Sequence, residues 1–162
     1  MSTELYDIPQ PDEIDIREKE DAMGAYFMMF AAMAVGLPLP VVNLIAAIIY
    51  YYLNRSKSRF VHFHSLQSLL SQIPTTLLNW GIVYIAVRIF VYDDDFTDIH
   101  KGYILMTAVA NVIYFIFSII GAMKARKGKF YYFLFFGEIS YKYVFTKRED
   151  NREAFVNKPP KM

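Results

Sequence analysis

The sequence predicts an all-α integral membrane helical bundle of four transmembrane helices, the first two short and hairpin-like, followed by a C-terminal aromatic interfacial segment. Three observations carry this prediction. Of the 162 residues, 55% are hydrophobic and mean hydropathy is +0.22, more apolar than a water-soluble domain. Residues 22–54, 60–87 and 102–123 contain no Asp, Glu, Lys or Arg, and each is too long for an ordinary core strand. Charges are segregated between these stretches, although the totals of 17 Lys+Arg and 16 Asp+Glu nearly cancel. That balance gives no sign of a nucleic-acid partner. The absence of Cys rules out disulfides, thiolate metal sites and thiol nucleophiles.

Taken in order, residues 1–21 form an acidic cytoplasmic tail. It lacks the basic region and apolar core of a cleavable signal peptide, so insertion is expected through internal spans. Residues 22–54 are interrupted by GLPLP at 36–40, where Pro38 and Pro40 remove amide donors and push the preceding residues out of the helical region. This predicts arms at 22–35 and 39–53, each about 21 to 23 Å long at 1.5 Å per residue. Arms so short would thin the bilayer or form a re-entrant pair. Ala31, Ala32, Ala34, Gly36, Ala46 and Ala47 would allow close approach. The stretches 60–87 and 102–123 each suffice for one crossing of a core of about 30 Å.

The membrane domain thus covers 22–124, the basic and aromatic interfacial segment 125–146, and a mobile tail 147–162. With four spans, Arg55, Lys57, Arg59, Lys124, Arg126, Lys127 and Lys129 share one side, opposed by Lys101 alone. The positive-inside bias then places both termini in the cytoplasm of a bacterium, with the spans in its inner membrane. A single crossing by 22–54 would give three spans and move the acidic tail to the other side.

The 60–87 span carries a polar stripe: His64, Gln67, Ser68, Ser71, Gln72, Thr75 and Asn79 recur at helical spacing on one face. Thr107, Asn111, Tyr114 and Ser118 form a second stripe on the following span. Hydrogen bonds between the two would satisfy groups unmet in hydrocarbon, at about 0.6 to 2 kcal/mol each. These residues are the candidates for helix or partner contacts. Pro74 is expected to kink its helix and free a carbonyl within reach of Ser71.

His62 and His64 differ by about 200° in direction on a helix, so they cannot face one ion as an i, i+4 pair does. No metal, cofactor or catalytic residue is assigned. Arg88, beside Asp93, Asp94, Asp95 and Asp98, is read as an interfacial cation snorkelling toward a carboxylate. The aromatic run at 130–145 contains Glu138 and Lys142; it suits the headgroup layer, anchored by Tyr131, Tyr132, Tyr141 and Tyr143.

Two motifs suggest a relationship. RFVHFHSLQSLL, through Phe60, Val61, Phe63, His64 and Gln67, and GAMKARKGKFYYF, through Ala122, Lys124, Ala125 and Gly128, resemble motifs of small bacterial four-span proteins related to the Tic twenty subunit of the chloroplast inner-envelope translocon. The likeness covers residues 22–136, with Phe133 where that family often has a proline after its paired tyrosines. It implies a translocation-related or assembly component and supplies no catalytic residues.

The expected protein is therefore a non-enzymatic subunit of a larger membrane complex. Its partners would be the lipid bilayer and other integral membrane proteins, with no nucleic acid and no small-molecule substrate. A small channel or transporter lined by the two stripes is the alternative. An intramembrane enzyme is disfavoured, since no carboxylate pair, Ser/His dyad or phosphate loop stands out.

Overall fold

The computed structural model describes residues 5–31, 36 and 39–147. Among these are five α-helices, α1 Ile16–Phe27, α2 Pro40–Asn54, α3 Arg59–Tyr92, α4 Asp98–Arg126 and α5 Leu134–Phe145, with a 3-10 turn at Met28–Phe30 after α1. The described residues contain no extended strand, only an isolated bridge between Leu5 and Thr146. Residues 1–4, 32–35, 37–38 and 148–162 lie outside the description, and with them the start of the predicted acidic tail, the end of the predicted 22–35 arm, part of the predicted hairpin turn and nearly all of the predicted C-terminal tail.

Helix boundaries follow from local chemistry. Pro40 opens α2 at a position where no amide donor is needed. Ser58 caps α3, its hydroxyl accepting from the Val61 amide at 3.3 Å. Asp93 ends α3 in the left-handed conformation (φ 54°). Thr97 and His100 form a reciprocal capping box at the start of α4. At its end Gly128 (φ 69°) closes a Schellman motif: the Gly128 amide donates to Ala125 O and the Lys129 amide to Lys124 O.

The fold differs from the sequence reading at both ends of the bundle. α1 begins at Ile16, six residues ahead of the predicted span, because Ala22, Ala25 and Tyr26 make a buried face at i, i+3, i+4 while Arg17 to Asp21 stay near the surface. Residues 5–15 are also held. Ile14 is buried, and the Tyr6 amide donates to Phe145 O at 2.9 Å. The aromatic segment splits into a non-helical stretch at 129–133 and helix α5, which packs on α3.

Two helices, α3 and α4, are long and apolar enough to cross a membrane, at about 51 and 44 Å by a rise of 1.5 Å per residue. Only 6% and 22% of their most apolar stretches are buried inside the protein, unlike core helices of a soluble domain. The fold does not establish the other two predicted crossings: α1 is charged through much of its length, and α2, with 15 residues, reaches only about 22 Å.

Burial is unequal along α3. Ten of its twelve buried residues lie between Phe60 and Gln72, and only Thr76 and Ile85 follow. The first part is wrapped by α1, α2, α5 and the 129–133 stretch. Phe130 joins two apolar clusters there, one with Phe60, Tyr26 and Ala125, the other with Phe63, Leu66 and Phe145. Its ring meets Phe60 and Phe63 at 5.1 Å each and Phe145 at 5.6 Å, edge-on contacts that add to the area they bury. Beyond Gln72, past the start of α2, cover is lost, and Leu77, Trp80, Tyr84, Phe90 and Val91 are exposed.

Candidate functional site

The polar stripe of α3 runs from the wrapped half into the bare half, and its groups are treated differently along the way. In the wrapped half His64 and Gln67 are fully buried. The Phe133 amide donates to Gln67 Oε1 at 3.1 Å, which fixes the amide and turns Nε2 toward the Tyr26 hydroxyl, 2.7 Å away. That hydroxyl also bonds His64 Nδ1 at 2.9 Å, and it donates there when the imidazole carries its hydrogen on Nε2. His64 Nε2 makes no hydrogen bond. These bonds link Phe133, Gln67, Tyr26 and His64 and tie α1, α3 and the 129–133 stretch together.

Neighbouring contacts reinforce this node. Ser68 Oγ donates to Ala25 O at 2.8 Å, and Ser71 Oγ turns back to Ser68 O at 2.8 Å. Ser71 therefore does not take up the carbonyl freed by Pro74; α3 continues through that proline. Gly137 lets α5 sit against the node, since a Cβ there would lie 2.5 Å from Tyr132 Cα and 2.8 Å from Gln67 Oε1. His62 faces another direction: its Nε2 bonds the Tyr51 hydroxyl at 3.0 Å on α2. The two histidines thus serve different helices.

In the bare half the contacts thin. Asn79 and Asn111 exchange amide bonds at 2.9 and 3.0 Å between α3 and α4, and Thr75 donates to Gln72 O at 3.0 Å. Tyr103 donates to Leu78 O at 2.9 Å. Between these levels and the wrapped half, Gln72 is 2% exposed with neither amide atom bonded, and the buried hydroxyls of Tyr114 and Thr107 are likewise unbonded. Tyr114 faces Ser71, Gln72 and Ser118. At this level, beside the start of α2, lies a cavity of about 490 Å³ that Gln72, Thr76, Asn111 and Tyr114 help line.

The candidate interfacial cations occupy the two ends. At the basic end Lys57 pairs with Asp21 and Arg126 with Glu20, each at 2.7 Å. Arg55 lies over Tyr52 at 4.7 Å and Arg59 over Tyr6 at 3.4 Å. Lys124, Lys127 and Lys129 are exposed. At the opposite end Arg88 pairs with Asp94 at 2.6 Å, and Lys101 with Asp98.

Sequence reasoning did not single out Tyr26, the Phe133 amide, Thr76 or Tyr103. Tyr26 had a visible signal: it is the polar residue on the face that carries Ala22 and Ala25. The Phe133 amide had none, because a backbone donor that caps a distant glutamine leaves no mark in composition.

The sequence profile of the MamF/MmsF magnetosome magnetite crystal formation protein family matches residues 20–140. No curated protein and no solved structure matches the chain. The profile match overturns the resemblance to the Tic twenty-related family, and with it the link to protein translocation. Both motifs behind that resemblance fall in the wrapped half, where Phe60, Phe63, His64, Gln67 and Ala125 are buried packing residues, so they mark this helix junction and not a transport function.

Proposed function

The chain belongs to the MamF/MmsF magnetosome magnetite crystal formation protein family, and from that premise we propose that it is a non-enzymatic membrane protein that works as a subunit of a larger membrane assembly in crystal formation. The observation that carries this reading is the wrapped half of α3. There Gln67, Tyr26 and His64 bond one another and the Phe133 amide, which joins segments, and among the described residues no nucleophile and base face an open site. α3 and α4 supply a broad apolar outer surface bounded by charge at both ends, as a lipid-embedded subunit requires.

In this reading α2 and the α1 region complete a four-span bundle, both termini face the cytoplasm, and the 93–98 loop faces the opposite compartment. Because the chain has no Cys, single-cysteine variants report topology without background. Ser56→Cys and Lys127→Cys are expected to resist an impermeant thiol reagent in intact cells, and Asp95→Cys to react. Labelling at Ser56 in intact cells would reverse the orientation. After mild solubilisation the protein is expected to migrate with other membrane proteins, well above the size of an 18.9 kDa chain in its micelle. Migration as an isolated chain would contradict the assembly role. In a magnetite-forming host, its loss should alter the crystals and leave protein export intact.

The alternative of a small channel or transporter is favoured by the cavity at Gln72. Against it, Asn79 and Asn111 close on each other on one side of the cavity and the bonded node closes the other, so the polar groups form no continuous path. Solute flux in liposomes that Asn111→Leu abolishes would favour transport.

A further inference from the structure

The cavity beside Gln72 has the chemistry of a ligand site independent of any assembly role. Gln72 is 2% exposed and Tyr114 7%, yet the Gln72 amide and the Tyr114 hydroxyl, which lie beside one another and near Ser71 and Ser118, make no hydrogen bond of ordinary geometry. Polar groups left unmet at such depth are costly, and in this position an occupant can satisfy them. No Asp, Glu, Lys, Arg or His lines the cavity, so a charged occupant would be buried without a counter-charge. The wall offers donors to an occupant, the two N–H groups of Gln72, the Tyr114 hydroxyl, and the second N–H of Asn111 beyond its bond to Asn79, beside one unbonded acceptor, Gln72 Oε1. Such a wall can hydrogen-bond an uncharged acceptor.

The remaining boundary is apolar. Leu39 and Phe115 line the cavity and are themselves 43% and 45% exposed, so its rim continues into the outer apolar surface. A volume of about 490 Å³ falls within the usual range for small-molecule sites. We propose that this cavity binds the uncharged, carbonyl-bearing head of a membrane-dissolved molecule, a quinone ring or the ester region of a glycerolipid, whose apolar chain leaves past Leu39 and Phe115.

The test uses the full-length purified protein in delipidated detergent and follows its thermal unfolding midpoint with three probes: decyl-ubiquinone, dioctanoylglycerol, and dodecane as a chain without carbonyls. One or both carbonyl probes are expected to raise the midpoint saturably, by about 5 °C near saturation, while dodecane does not. A shift with decyl-ubiquinone alone identifies the quinone source; a shift with dioctanoylglycerol alone identifies the ester, and shifts with both identify the carbonyl as the shared determinant. Gln72→Met should abolish the shift without lowering the midpoint of the unliganded protein; should that variant fail to fold, Tyr114→Phe is expected to weaken the shift. No shift with either carbonyl probe, an equal shift with dodecane, or a shift that persists unchanged in the folded variants would overturn the proposal.

Discussion

Gln67 and Gln72 carry the same side chain on the same helix, five residues apart, and both are buried. Gln67 has a partner at each end of its amide, the Phe133 N–H and the Tyr26 hydroxyl, whereas Gln72 has none. The difference lies in what surrounds the helix. Around Gln67 the chain supplies α1, α5 and a non-helical stretch, close enough to offer backbone and hydroxyl partners. At Gln72 the short α2 is beginning, and a cavity lies where a further partner would sit. Burial alone therefore does not distinguish a structural polar group from one held for another purpose; the state of its hydrogen bonds does.

Breaking the wrapped half should cost most. Tyr26→Phe removes one hydroxyl and leaves Gln67 Nε2 and His64 Nδ1 buried without partners, so a loss of about 1–3 kcal/mol for each unpaired group is expected in equilibrium unfolding. Gly137→Ala sets a methyl group against Tyr132 and Gln67 and is expected to cost about 1–3 kcal/mol by overpacking. A variant as stable as the wild type would show that α5 does not seat on the node. Lesser losses are expected in the bare half. Asn79→Leu or Asn111→Leu breaks the paired amides, for about 0.6 to 2 kcal/mol, and the double variant should lose less than the sum, since each single change already breaks the pair. His62→Ala removes the bond to Tyr51 at the half-buried surface of α2 and should cost about 0.5–1.5 kcal/mol. The same assay measures all of these, and a larger loss from Asn79→Leu than from Tyr26→Phe would invert the ranking of the two halves.

Much of this contrast was legible in the sequence as position, and little of it as bonding. The charge-free stretches at 60–87 and 102–123 marked α3 and α4, because a long apolar run has few other uses. The prolines of GLPLP marked the break ahead of α2, which starts at Pro40, one residue inside the predicted arm. The i, i+3, i+4 recurrence from His64 to Asn79 set those residues on one face. What the sequence could not convey was which segment covers that face. α1 recruits residues 16–21, which read as a charged tail, because one side of that helix is small and apolar while the other pairs Glu20 and Asp21 with Arg126 and Lys57. Partners contributed by backbone, such as the Phe133 amide and the Ala25 carbonyl, are silent in any side-chain pattern. The translocon resemblance failed for a related reason: its motifs are the aromatic, small and amide residues that this junction needs for packing.

The most direct test compares the two glutamines under matched substitution. Gln67→Met and Gln72→Met remove the same amide and put a flexible apolar chain of similar length in its place, and both variants can be followed by reversible unfolding in one detergent without added ligand. Gln67→Met is expected to lose at least about 2 kcal/mol, as the Phe133 N–H and the Tyr26 oxygen both lose their partner, while Gln72→Met is expected to stay within about 0.5 kcal/mol of the wild type or exceed it. Equal losses at the two positions, or a greater loss at Gln72, would contradict the division of the polar seam into a bonded half that holds the fold and an open half that awaits a ligand.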